Sequence, residues 1–270
     1  MAIITISRGS KSGGRALAEC LAQRLHYPVV GREIIQEAAL KLGVSEEAVG
    51  QGMEHTPKLW GRRSLARRLY VTAVQAALAE RIVDGNLIYH GLVGQLLLRG
   101  LPAVLRLRLI VPLEARISTL METDSMDRFS AQKYIRDMDD ARARWVKMMY
   151  DADISDPALY DLVINLEVIS LPTACLLIAK TAEQPAFVAD ADARARLSSF
   201  ALACHARVAL LSDAQTRGFD LDVKADDGVV EVSGSLPLLP AGQLENHISQ
   251  IISAVPGVRA TRLQIQWFSH

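Results

Sequence analysis

The residues best suited to chemistry lie near the start of the chain: Gly9-Ser10-Lys11-Ser12-Gly13-Gly14-Arg15. Small residues in such a run let successive backbone N–H groups point at one spot, and Lys11 and Arg15 add positive charge. That combination cradles phosphate oxygens, the more so where a helix begins immediately afterwards. The Gly9-x-x-x-x-Gly14 spacing matches the first part of the GxxxxGK[ST] phosphate loop. The second part departs from it, with Arg15 in place of Lys and Ala16 in place of the Ser or Thr that holds Mg2+. An arginine can still grip a phosphate with two parallel donors. An ordinary strand-to-helix turn uses the same small residues, and the loop alone leaves both readings open.

The elements around this loop fit the first reading. Ile3-Ile4-Thr5-Ile6 before it is a short β-branched run, and Ala16 to Ala22 after it has a helical period. Further apolar strand patterns follow at Tyr27–Val30, Asn86–Gly91, Ala103–Val111 and Tyr160–Asn165. Between them lie helical patterns at Trp60–Val83, from Pro112, at Ser130–Met149 and at Leu171–Thr181. Short strands that are apolar on both faces and alternate with helices predict a parallel α/β sheet in three layers. Ligands then bind outside the carboxyl ends of the strands. Those ends are Ser7-Arg8, Val30-Gly31, His90-Gly91 and Val111-Pro112. His90 at such an end is either a site residue or a satisfied histidine of the rim.

Residues 183–192 break the pattern and read as a linker between a first domain over 1–182 and a second over 193–270. In the second, a helix, an alternating pair of strands around Asp226-Asp227-Gly228, another helix and a last strand give an αββαβ order.

Composition narrows the function classes. The chain of 270 residues is 50% hydrophobic and 22% charged, with 30 Lys plus Arg against 30 Asp plus Glu. This balance supplies no global field for nucleic acid or an acidic membrane surface. Cys20, Cys175 and Cys204 lie far apart, fit no metal spacing and read as separate buried thiols. With no signal-like start and no run of about 20 apolar residues, the expectation is a cytoplasmic soluble protein.

Residues 1 to about 182 resemble the cytidylate-kinase-like branch of the P-loop nucleoside monophosphate kinases. The resemblance rests on Ile4-Thr5-Ile6-Ser7-Arg8, Ser12-Gly13-Gly14-Arg15, Arg32-Glu33-Ile34-Ile35, Pro112-Leu113-Glu114-x-Arg116, Asp139-x-x-Arg142 and Asp156-Pro157-x-x-Tyr160-Asp161-Leu162-Val163-Ile164-Asn165. In that branch Arg commonly follows the paired glycines, as Arg15 does. The second domain resembles the BON domain through its Gly-bounded hairpin, Asp227 to Gly234, and its Val255-Pro256-Gly257-Val258 turn. BON domains are taken to mediate attachment to membranes or partner proteins.

The resemblance implies ATP with Mg2+ as donor, held by Gly9, Ser10, Lys11, Ser12, Gly13, Gly14 and Arg15. It also implies a lid over Ser130–Met149, with Arg142 at the family's position and Arg136, Arg144 and Lys147 as neighbours. Arg15 and Arg142 are then the catalytic cations, and Arg32, Arg63 and Arg67, with Arg62, are candidates for the acceptor. Solvated surface readings remain for these clusters, since Asp137, Asp139 and Asp140 pair with basic neighbours at helical spacing. No residue is assigned to a resident metal.

Three positions depart from the relatives. Gly31 stands where Asp is usual, Gly91-Leu92 where Gly-Arg is usual, and Ala16 offers no metal-organising hydroxyl. Two functions therefore stand side by side. One is phosphoryl transfer from ATP to a CMP- or dCMP-like acceptor. The other is a catalytically weak nucleotide-binding sensor acting through its BON-like domain. Oligomeric state stays open.

Overall fold

The computed structural model describes residues 2–31, 33–34, 36–37, 65–91, 93–237 and 241–268. Through the first half the elements run β1 (Ile3–Arg8), α1 (Gly14–Leu25), β2 (Val29–Val30), α2 (Leu65–Ile82), β3 (Leu87–Tyr89) and α3 (Gly94–Leu97). Then come β4 (Val104–Ile110), α4 (Leu113–Asp124), α5 (Arg128–Tyr150), β5 (Leu162–Asn165) and α6 (Leu171–Ala182). The chain ends with α7 (Ala191–Ser212), β6 (Leu221–Asp226), β7 (Val229–Pro237), α8 (Ala241–Ser253) and β8 (Ala260–Phe268).

Contacts divide the chain into two units. One holds the described residues up to Glu33 together with Gly85–Ala189; the other holds those from Ile34 to Asp84 and from Asp190 onward.

In the first unit β1 is central. Ile3, Ile4, Thr5 and Ile6 are all buried, as a strand covered on both faces requires. It pairs in parallel with β3 on one side and β4 on the other, and the five-stranded order is β2-β3-β1-β4-β5. The alternating strand and helix pattern foretold this parallel sheet. α1 and α6 cover one face, with Leu17, Ala18, Leu21, Cys175 and Ile178 packed on Ile4, Ile6, Leu105 and Leu107. The start of β5 is held by Asp161, whose carboxylate accepts from Arg106 Nη2 at 2.6 Å, Arg106 Nε at 3.0 Å and the Arg106 backbone N–H at 2.8 Å.

Cys20 on α1 and Cys175 on α6 form a disulfide, with Cα atoms 6.3 Å apart. The expectation of three separate thiols is corrected here. The two residues are 155 apart in sequence, but the helices that carry them lie side by side in one core. Cys204 stays free and buried, and burial pushes its thiol up to about 12.

The second unit contains a mixed three-stranded sheet in the order β6-β7-β8, with β6 antiparallel and β8 parallel to β7. Val223, Val230, Val232, Ile248 and Ile252 are in its core. The αββαβ order is present. The unit also takes in α2, whose Ala76 and Ala79 pack on Ala201 and Cys204 of α7. The sequence pattern assigned this helix to the first domain, and it started the second domain at 193; α7 begins at Ala191. Among the described residues, no helix is long and apolar enough to cross a membrane.

Candidate functional site: the loop after the first strand

The Gly/Ser loop joins the carboxyl end of β1 to the first turn of α1. Lys11 and Gly13 both take left-handed backbone conformations, at φ 54° and 71°, and Gly13 caps α1 without any side-chain hydrogen bond. The first-turn N–H groups thus have no capping side chain, the usual condition of a helix start that receives an anion. Ser10 and Ser12 are buried, and the Ser12 hydroxyl donates to Ser10 O at 3.4 Å.

Carboxylates from the helices after β4 lie on this loop. Ser10 N–H donates to Asp139 Oδ1 of α5 at 2.8 Å. Arg116 of α4 donates from Nη1 to Asp139 Oδ2 at 2.6 Å and to Ser10 O at 3.2 Å. Arg142, one turn beyond Asp139, stands 4.0 Å from its Oδ1. Lys11 Nζ reaches Asp124 at the end of α4, at 2.9 Å. Hydrogen bonds from the Thr123 hydroxyl and then from Lys11 hold the Asp124 carboxyl below its ordinary range. Gly9 makes the Arg116 approach possible: a Cβ there would sit 2.7 Å from Arg116 Nη1 and 3.3 Å from Asp139 Oδ2.

A fourth cation lies beside the loop. Arg8 ends β1, and its Nη1 donates to His90 O at the end of β3, at 2.8 Å. Its side chain runs so close over Gly14 that a Cβ there would fall 1.9 Å from Arg8 Cδ. Burial, and then the nearby Arg142, lower the Arg8 pKa; a guanidinium stays charged at neutral pH even so.

Beside Arg8, burial first and the Arg8 charge second lower the pKa of His90. Its Nδ1 is buried without a hydrogen-bond partner. The His90 ring and the Glu33 carboxylate both crowd Gly31. A Cβ there would lie 2.6 Å from His90 Nε2 and 3.3 Å from Glu33 Oε2, and Glu33 Oε1 accepts the Gly31 N–H at 2.7 Å. Gly31 is thus matched to His90: a side chain at 31 requires the imidazole to shift.

Tyr160 braces the rim from below. Its hydroxyl lies within 3.2 Å of Ser7 Oγ, accepts from Gln95 Nε2 at 3.2 Å and Arg108 Nη1 at 3.3 Å, and donates to Ile154 O at 2.8 Å. One buried phenol therefore ties the end of β1 to α3, β4 and the chain before β5.

The structure brings together Gly9, Ser10, Lys11, Ser12, Gly13, Gly14 and Arg142. Arg15 points elsewhere: it is mostly exposed and donates to Glu19 Oε1 on its own helix at 2.9 Å. Arg32 and Arg63 lie outside the described residues, as do Arg62 and Leu92. Arg67 falls in α2, a helix of the other unit. Sequence reasoning did not single out Arg8, Arg116 and Asp139 as site residues. The available signal was positional, since each sits inside a stretch already recognised by its spacing.

The sheet order together with a strand-loop-helix phosphate cradle defines a P-loop kinase-like fold. The chain belongs to the cytidylate kinase-like family, whose model matches residues 3–168. Over 165 residues it is 28% identical to the cytidylate kinase of Methanothrix thermoacetophila, covering 60% of this chain and 87% of that protein. Over 166 residues it is 27% identical to the cytidylate kinase of Methanosphaerula palustris, covering 61% and 88%. Among solved structures, an uncharacterized protein from Eubacterium ventriosum shares the fold, with a TM-score of 0.53 at 17% identity, over 67% of this chain and 98% of that one.

Proposed function

We propose that the protein transfers the terminal phosphoryl group of ATP to a nucleoside monophosphate of the CMP or dCMP class. The observation that carries this reading is the convergence of loop N–H groups with Arg8, Arg116 and Arg142 at the carboxyl end of β1. Phosphoryl transfer is mostly positioning and charge neutralisation. Here the loop and Arg116 orient the donor phosphates, Arg8 supplies fixed positive charge beside them, and Arg142 on α5 brings a further cation from the lid. Arg15, at the start of α1, joins them by leaving Glu19. Arg32, Arg63 and Arg67 are the acceptor-binding candidates.

The fold family implies a divalent metal that enters with the nucleotide. The Ser10 and Ser12 hydroxyls, in a buried part of the loop, are hard oxygen donors. That arrangement suits Mg2+, which keeps waters and binds through one or two protein oxygens plus substrate phosphates. Bound there, Mg2+ supplies neutralisation of the phosphate charge.

The small mixed-sheet unit is, in this proposal, a BON-like module that attaches the kinase to a protein or membrane partner, and the setting is cytoplasmic. The Cys20–Cys175 disulfide is the observation that bears against a simply reducing compartment. A second reading, a weak or inactive nucleotide sensor, draws on the carboxylates already seated on the loop at Ser10 and Lys11.

The deciding experiment is transfer from labelled ATP with Mg2+ to a panel of nucleoside monophosphates. Transfer to CMP or dCMP that collapses in Arg142→Ala and Arg15→Ala establishes the kinase. Loss of one such cation costs on the order of 10³-fold or more. No transfer to any acceptor by folded protein that still binds ATP leaves the sensor reading.

A further inference from the structure

The Asp139 carboxylate holds the position of an anion in the loop. Its two oxygens accept from Ser10 N–H at 2.8 Å and from Arg116 Nη1 at 2.6 Å, and Arg142 faces it at 4.0 Å. A backbone N–H and a guanidinium converging on two oxygens of one anionic group is how a protein grips a phosphoryl group. We propose that Asp139 is a built-in competitor for the phosphate subsite: a polyphosphate binds by displacing this carboxylate from Ser10 and Arg116. The proposal rests on the phosphate-binding reading of the loop.

Three features separate a displaceable competitor from a fixed brace. First, the cation is anchored independently of the carboxylate. Arg116 also donates to Ser10 O at 3.2 Å, and only 12% of its side chain is exposed, against 31% for Asp139. Removing Asp139 therefore leaves Arg116 attached to the loop. Second, Arg116 has donors that the carboxylate does not satisfy. A guanidinium carries five N–H donors, and the Arg116 Nε is buried without a partner. A phosphoryl group brings three oxygens where Asp139 brings two. Third, the local charge is uneven. Arg116 and Arg142 both face the one Asp139 carboxylate, and Lys11 adds a further cation to the same loop, so a multiply charged anion matches the cluster better than Asp139 does. The ligand class is thus a nucleoside triphosphate or inorganic tripolyphosphate rather than a singly charged anion.

The lid helix then does two things from one face. Asp139 and Arg142 are three residues apart on α5, which places them on the same side of the helix. Moving Asp139 off Ser10 exposes the cradle and frees Arg142 from its nearest carboxylate. A polyphosphate becomes its replacement partner.

The test measures tripolyphosphate and ATP binding by calorimetry, in EDTA so that no metal contributes, to the full chain and its Asp139→Asn variant. Asn keeps an acceptor for Ser10 but removes the charge, and charge-assisted bonds are roughly twice as strong as neutral ones. The expected result is tighter binding of both ligands by about tenfold, with melting curves confirming a folded variant. Asp139→Ala replaces it if the Asn variant does not fold, with the same expectation. Equal or weaker binding by a folded variant, while the parent protein binds, overturns the competitor and leaves the phosphate loop standing. Absence of binding in parent and variant alike overturns the phosphate loop and the competitor with it.

Discussion

Gly14 shows how one absent side chain can place a charge. Its value is space rather than backbone freedom, because Arg8 Cδ and Nε would lie 1.9 and 2.3 Å from a Cβ there. Neighbouring Gly13 is the reverse case: its φ is 71°, and the nearest atom to a Cβ is 3.7 Å away. The two glycines, adjacent in the loop, should therefore fail differently. Gly14→Ala must push Arg8 off its bond to His90 O, at a cost of about 1–3 kcal/mol of stability by overpacking, and should weaken ATP binding. Gly13→Ala carries only left-handed strain of about 1–2 kcal/mol and leaves Arg8 in place. Thermal melts combined with ATP titration check the contrast. Comparable loss of stability with unchanged ATP affinity in both variants would show that Arg8 does not serve the ligand. The glycine spacing was plain in the sequence, but these distinct duties were not, since the second depends on where the Arg8 side chain runs. The Asp139 contact with Ser10 was equally hidden, because no local pattern joins residues 129 apart.

Among the elements, what the sequence made legible was what short-range pattern controls. β1, β3, β4 and β5 are brief apolar runs bounded by Gly, Pro or Asp, and their places followed from that punctuation. α5 begins where Asp127 accepts the Ser130 N–H at 3.1 Å, and α6 begins at Ser170 with Pro172 in its first turn, both ordinary start signals. Adjacency between elements was not legible, and the disulfide is the clearest case. Cys20 and Cys175 each looked like a buried thiol in a helical run, and only the packing of α1 against α6 makes them partners. The bond joins the helix that carries the phosphate loop to the last helix of the unit. Closing a loop of 155 residues restricts the unfolded chain, worth on the order of 5 kcal/mol in the chain-entropy account. Reduction, or Cys20→Ser, should accordingly lower the melting temperature by several degrees or more. Parallel melts with and without reductant, with thiol counting, read this directly; an unchanged melt in fully reduced protein would show that the bond adds nothing to the fold.

For the whole molecule, the second unit is more than an appended module. The helix α2, which lies in the chain between β2 and β3 of the first unit, is built into the second unit. Ala76 and Ala79 pack on Ala201 and Cys204 of α7. Glu80 Oε1 meets His205 Nε2 at 2.8 Å, Gln75 accepts from Arg207 at 3.5 Å, and Arg68 donates to Phe219 O. The sequence could show that α2 is a helix with small apolar residues, but a helical period says nothing about what covers them. A cut at 182, where the sequence pattern ends its first domain, would strip α2 of these partners while leaving it in the chain between β2 and β3. A fragment of residues 1–182 should therefore expose the Ala76 and Ala79 face and associate or lose helix, even though every strand of the five-stranded sheet is retained. Size-exclusion chromatography and circular dichroism of that fragment against the full chain test this. A monodisperse fragment with the helix content expected for its length would mean that α2 stands without the second unit, and that the two units separate at the linker after all.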